Sequence, residues 1–358
     1  MRELRALVVD DSSLNRRTIA AILRDITGIS EVDVARDGAD ALRVVEANPP
    51  DFITLDLDMP RVDGFEFLQF LMDRHPLPVV VVSGLSAKEN IFRALELGAI
   101  DFIEKPHGGD APLECLRDQL VEKVRVVQRL SPLALQHDLA DVFGLDEDLS
   151  APARRPHEPT VLKRVPSKVI AIGASTGGPR ALVTLLRHLQ DDLDAALVIA
   201  QHMPARFTRT FAARLDKAGV FKVSEAKTYE RLARGHAYVC PGGHCIEIVP
   251  SDRGPAIRVV APDRRSRYVP SVDQLFSSAA RVLGDKAIGV VLTGMGDDGA
   301  NGARDIFAQG GSILVEAPET AAVSGMPLAV QRNGVQHHAL GIWALGDMLA
   351  DLTRPSRR

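Results

Sequence analysis

Three short stretches carry residues whose types and spacing can do chemistry: "IGASTGG" around Ser175, "AQHMP" around His202, and "LTGMGDDG" around Asp297 and Asp298. A serine is a weak nucleophile at neutral pH, so it needs a base, and the base needs an acid to orient it. The run "GASTG" fits G-x-S-x-G, in which small neighbours let a strand turn sharply into a helix and expose the serine. A serine at that turn lies near a helix N-terminus, whose N–H groups can stabilise an oxyanion. The chemistry is hydrolysis through an acyl-enzyme, with either aspartate open as the orienting acid. The chain order Ser, His, Asp differs from the Ser, Asp, His order of α/β-hydrolases, which disfavours that fold.

A glycine-rich turn after a strand can also cradle phosphate. A dinucleotide site would show G-x-G-x-x-G and an acidic residue roughly 20 positions on. Here the turn reads "GASTGG", and the next strand ends in Gln201 and His202 where a ribose-binding carboxylate would be expected. The Gly-Lys-Ser/Thr of a P-loop is also missing. The same residues that weaken the nucleotide reading supply the nucleophile reading with its base.

A second set lies in the first third of the chain. Asp10 and Asp11 close one apolar run, Asp56 another, Ser83 a third, and Lys105 follows a fourth. Three carboxylates on one edge repel unless a cation sits among them, and oxygen-only ligands favour Mg²⁺. The chemistry is phosphoryl transfer: Asp56 attacks the phosphoryl group, while Ser83 and Lys105 hold its oxygens from the other side.

The elements that must position these groups are legible as alternating apolar strands and amphipathic helices. "RALVVDD", "EVDVARDG", "DFITLDLDMP", "LPVVVVSG" and "AIDFIEKP" read as five strands, each followed by helical periodicity. Strands that are apolar nearly throughout suit a parallel sheet covered on both faces. Its strands present their carboxyl ends along one rim, where all five polar residues can converge. From 131 to 166 the rhythm breaks into prolines and charge, which describes a linker with one short helix at most. The rhythm resumes with "SKVIAIGAS", "AALVIAQHMP", "KAIGVVLTGMG" and "GSILVEA", interrupted by a β-rich insert over about 223–260. The predicted organisation is an α/β domain over 1–130, a linker over 131–166, and a doubly wound, mainly parallel α/β domain over 167–358.

At 358 residues two cores are expected, because a single core stops growing near roughly 250–300 residues. A charged fraction of 25% and a net charge of −4 favour neither nucleic acid nor a membrane surface as partner. "DRRSRY" (263–268) is a short basic patch without helix-turn-helix spacing. No apolar run is long enough to span a bilayer and the start lacks a signal-peptide core, so no membrane insertion and a cytoplasmic setting are expected. Three cysteines suit free thiols in a reducing compartment. His236, Cys240, His244 and Cys245 are soft ligand types at close spacing, yet "GHAYVCPGGHCIEIV" reads more simply as strand, Pro-Gly-Gly turn and strand.

The first segment resembles the response-regulator receiver domain, a (βα)5 flavodoxin-like fold, through "VVDDS", "LDLDMPRVDGFEFL", "VSG" and Lys105-Pro106. That resemblance implies Asp56 as phosphoacceptor, Asp10, Asp11 and Asp56 around Mg²⁺, Ser83 at the hydroxyl position and Phe102 at the aromatic switch. The whole chain is similar to the chemotaxis protein-glutamate methylesterase family, CheB, through "IGASTGGP", "GHAYV", "PSVD" and "GMP" as well as the motifs above. The resemblance implies a phosphorylation-activated hydrolase that demethylates glutamate methyl esters on methyl-accepting chemotaxis receptors, and in many members deamidates glutamines. Its implied phosphodonor is a CheA-type histidine kinase, and its esterase domain needs no cofactor. By position Ser175 is the nucleophile, His202 the base and Asp298 the orienter, with Thr176 and Met295 beside the oxyanion site. The other reading is a phospho-regulated binding module with an inert or differently aimed triad. Val269, His244-Cys245 and Ser324 depart from the family pattern, which usually has arginine, a basic residue before histidine, and phenylalanine.

Overall fold

The computed structural model describes residues 3–84, 88–105, 113–130, 164–191, 193–264 and 266–354. The chain forms two compact units, Met1–Val142 and Phe143–Arg358. The predicted linker lies outside the described residues apart from 164–166, and Pro106 of the Lys105-Pro106 pair also lies outside them.

The first unit holds the five expected strands, β1 (Leu4–Val9), β2 (Ile29–Ala35), β3 (Phe52–Leu55), β4 (Val79–Ser83) and β5 (Asp101–Glu104). They are joined by α1 (Ser13–Arg24), α2 (Gly38–Ala47), α3 (Gly64–Arg74), α4 (Lys88–Glu96) and, after β5, α5 (Leu113–Val127). The sheet order is β2-β1-β3-β4-β5 with every pairing parallel. Every residue of β3 and β4 is buried, as expected where helices cover both faces. The order reverses between β1 and β3, the switch point outside whose carboxyl ends ligands bind. Asp10 and Asp56 stand at those two strand ends.

The second unit is built on β6 (Lys168–Ala174), β7 (Ala195–Gln201), β8 (Lys222–Glu225), β9 (His236–Val239), β12 (Ala287–Val291), β13 (Ser312–Glu316) and β14 (His338–Leu340). Their order is β14-β13-β12-β6-β7-β9-β8, again parallel throughout. The helices α6 (Gly178–His188), α7 (Ala205–Ala218), α8 (Val272–Leu283), α9 (Ala300–Ala308), α10 (Gly325–Arg332) and α11 (Ile342–Thr353) complete the layers. The predicted β-rich insert divides in two. Strands β8 and β9 extend the main sheet, and only β10 (Cys245–Val249) and β11 (Ala256–Val260) form a separate antiparallel pair. The strands flanking the Pro-Gly-Gly turn therefore belong to different sheets. Among the described residues, no helix is long and apolar enough to cross a membrane.

Candidate active site

Ser175 leaves the fully buried end of β6 and is itself 8% exposed. Its N–H donates to the Thr293 carbonyl at 3.0 Å, and its carbonyl accepts the Gly178 N–H at 2.8 Å. Between them Gly177 takes φ +78, a left-handed conformation that a side chain would strain. The Thr293 hydroxyl donates to the Thr176 carbonyl at 2.9 Å, tying the turn to the loop that follows β12. That loop passes close beneath the serine: a Cβ on Gly294 would lie 2.3 Å from Met326 Sδ and 2.7 Å from Ser175 Cβ. Thr176, next to Ser175, is buried, and Met295, next to Gly294 on the facing loop, is half-buried.

His202 extends the adjacent strand. Ala174 pairs with Gln201, and the His202 N–H donates to the Ala174 carbonyl at 2.9 Å, so Ser175 and His202 leave the sheet side by side. His202 Nε2 lies 2.8 Å from Asp298 Oδ2. With Asp298 as acceptor, Nε2 carries the proton and Nδ1 has the lone pair a base requires. Among the described residues no hydrogen bond joins the Ser175 hydroxyl to His202; resting active sites commonly hold this contact long and tighten it around substrate.

The residue pattern left Asp297 and Asp298 both open, and their surroundings separate them. Asp298 is 2% exposed and accepts the backbone N–H of Val272 at 2.7 Å and of Asp273 at 2.9 Å, with the Ser271 hydroxyl at 3.3 Å. It sits on the N-terminus of α8, where the free N–H groups and helix dipole favour a negative charge. Asp297 is exposed and takes the Tyr268 hydroxyl at 2.8 Å and Arg267 at 3.2 Å.

In the first unit Asp10, Asp11 and Asp56 each offer a carboxylate oxygen within 4.8 Å of the others. Lys105 Nζ lies 2.9 Å from Asp10 Oδ2 and also contacts Asp56 Oδ2. Burial pushes the Asp56 carboxyl above its usual range, against the lowering effect of Lys105. Burial alone would lower Lys105, but its bonds to Asp56 and Asp10 hold it above the usual lysine value. Ser83 is fully buried at the end of β4, and its Oγ has no partner among the described residues. Phe102 packs on β5 at 8% exposed. An all-oxygen acidic trio suits a hard divalent cation, and the orphaned Ser83 hydroxyl suits an incoming anionic oxygen.

No three of His236, Cys240, His244 and Cys245 come together as metal ligands, the acidic trio being the cluster found among the described residues. Cys240 and Cys245 are fully buried, and burial pushes both thiols up. His244 is exposed, Val269 is half-buried, and Ser324 precedes α10 without capping it through its side chain. Two residues carried no site role in the sequence reading. Gln201, 2% exposed, donates from Nε2 to the carbonyls of Ser175 at 2.9 Å and His202 at 3.0 Å, and its one signal is a polar side chain ending an apolar run. Tyr268 stacks on His202 with centroids 5.2 Å apart and planes 7° from parallel, from within a patch read only for its charge.

The CheB methylesterase family model matches residues 170–349, and the response regulator receiver domain model matches residues 6–116. A protein-glutamate methylesterase/protein-glutamine glutaminase of Myxococcus xanthus is 41% identical over 98% of this chain and 97% of its own length. One from Anaeromyxobacter dehalogenans is 42% identical over 99% and 97%. The solved CheB methylesterase catalytic domain of Thermotoga maritima is 34% identical, with a TM-score of 0.50 over 52% of this chain and 98% of that domain. With a receiver match and a catalytic match in this order and relatives spanning nearly the full length, the chain belongs to the CheB methylesterase family, with a receiver domain ahead of its catalytic domain.

Proposed function

We propose that this protein hydrolyses glutamate methyl esters on methyl-accepting chemotaxis receptors with Ser175, His202 and Asp298, under control of phosphorylation at Asp56. The observation that carries the reading is the His202–Asp298 contact of 2.8 Å beside a serine held on a G-x-S-x-G turn. Ser175 Oγ attacks the ester carbonyl while His202 Nδ1 takes its proton, and the backbone N–H groups of Thr176 and Met295 receive the oxyanion. His202 then protonates the departing methoxide, releasing methanol. Water, deprotonated by the same imidazole, frees the glutamate and restores the serine. A glutamine side chain would follow the same path with ammonia as leaving group, the second activity in the relatives' names.

In the receiver domain Asp56 accepts the phosphoryl group from a CheA-type histidine kinase, in a cytoplasmic setting. Asp10, Asp11 and Asp56 would hold Mg²⁺, which offsets charge on the phosphoryl oxygens. Lys105 and Ser83 stand ready for those oxygens from the other side, and Phe102 occupies the switch position.

Methanol release from methylated receptor, with and without the small phosphodonor acetyl phosphate, tests both halves. Wild type should release methanol faster with the donor, Asp56→Asn should show the basal rate in either condition, and Ser175→Ala should release none. No methanol from wild type in either condition would refute the hydrolase and leave a phospho-regulated binding module; full activity in Ser175→Ala would refute the triad; equal rates with and without donor in wild type would refute the control.

A further inference from the structure

We propose that Tyr268 is a positioning residue for the base, its ring lying flat on His202 so that the imidazole presents Nε2 to Asp298 and Nδ1 to the nucleophile. The inference rests on the triad reading above and adds a residue to it.

A single hydrogen bond to Asp298 fixes one nitrogen of His202 but leaves the ring plane free to tilt about that contact. The Tyr268 ring, with its centroid 5.2 Å away and its plane within 7° of parallel, limits that freedom from one side as an offset stack. Tyr268 is itself held from several sides. Its hydroxyl donates to Asp297 Oδ1 at 2.8 Å, and the Arg267 guanidinium lies 5.0 Å from the ring centroid while bonding the same carboxylate at 3.2 Å. Gly296 leaves space for the phenol, since a Cβ there would sit 2.4 Å from its oxygen. Burial and the Asp297 carboxylate push the phenol up, so it remains a donor. Two consecutive carboxylates thus serve two stacked rings: Asp298 takes the imidazole and Asp297 the phenol. Asp297, exposed and outside the triad, gains a role that its position beside Asp298 alone does not explain.

The test uses the full-length chain and two readouts, methanol release from methylated receptor and the rate at which a fluorophosphonate labels Ser175, which needs no receptor docking. Tyr268→Leu should lower kcat and the labelling rate together by about 10-fold or more, with KM and the melting temperature near wild type. Tyr268→Phe keeps the ring and should stay within about 3-fold. Asp297→Ala on the exposed rim removes the acceptor of the Tyr268 hydroxyl and should cost a similar small factor, and combining it with Tyr268→Phe should cost less than the sum of the two, because both remove that bond. Tyr268→Leu matching Tyr268→Phe in both readouts, or acting wholly through KM, overturns the inference. Should Tyr268→Leu fold poorly, full additivity of Asp297→Ala with Tyr268→Phe overturns it instead. Loss of activity in Ser175→Ala with wild-type behaviour in Tyr268→Leu would sink this inference alone, whereas an active Ser175→Ala sinks the triad beneath it.

Discussion

Oδ2 of Asp298 meets the His202 ring at 2.8 Å and the Val272 backbone N–H at 2.7 Å, so one carboxylate oxygen joins the proposed base to the first turn of α8. Asp298→Asn would place an amide among these donors and disturb the tautomer that leaves Nδ1 basic. The expected result is a fall in kcat of about 10³–10⁴-fold. KM for methylated receptor should change little, and steady-state methanol release separates the two.

Gln201 spans Ser175 and His202 with a single amide, donating to the backbone carbonyl of each. Gln201→Leu leaves both carbonyls without that donor in a buried site, at a cost of about 1–3 kcal/mol. Denaturant unfolding of the catalytic domain should shift to lower midpoint, and kcat should fall even at temperatures where the variant is fully folded.

Gly294 carries no side chain because Ser175 and Met326 already occupy the space. Gly294→Ala forces the loop and the serine apart, at about 1–3 kcal/mol for an overpacked site. Fluorophosphonate labelling of Ser175 should slow more than circular dichroism changes.

The meeting of His202 with Asp298 beside Ser175 was legible because each follows an apolar run, and parallel strands deliver their ends to one rim. Ser175, His202 and Asp298 follow β6, β7 and β12, which are neighbours in the sheet. The choice between Asp297 and Asp298 was not legible from the residues alone, since it depends on α8 arriving over one of them from a separate part of the chain. The same limit hid the insert's division. That β9 pairs with β7 is a long-range fact, and a four-residue strand shows no periodicity that distinguishes a sheet edge from a hairpin. Tyr268 was read for charge because its partners, His202 and Asp297, are distant in sequence.

Ser83 gives a test in which rest and activation move in opposite directions. Its buried hydroxyl has no partner among the described residues, so Ser83→Ala removes a desolvated polar group at rest. Stability without phosphodonor should be unchanged or higher by up to about 1–2 kcal/mol. Stimulation of methanol release by acetyl phosphate should weaken in the same variant, since a ligand to the phosphoryl oxygens is lost.

Lys123 on α5 lies 3.0 Å from Asp101 and 3.2 Å from Glu122. Burial alone would lower its pKa, yet the two carboxylates hold it above the usual lysine value of 10.5. A lysine raised in the native state lends stability that is complete below that usual value and lost as pH rises through the native one. Lys123→Met should therefore destabilise the receiver domain by about 3 kcal/mol at neutral pH, the cost of breaking a largely buried pair. The difference from wild type, followed by urea unfolding of the full chain, should stay level from near-neutral to mildly alkaline pH and shrink above 10.5.

The histidine and the carboxylate that orients it are 96 residues apart in the chain. During synthesis the serine and imidazole leave the ribosome well before that acid, and before the helix turn that anchors it. A growing polypeptide, or a fragment clipped anywhere between them, carries an unassembled centre. On the proposed triad, full hydrolytic rate would thus wait until translation of the second domain has passed Asp298.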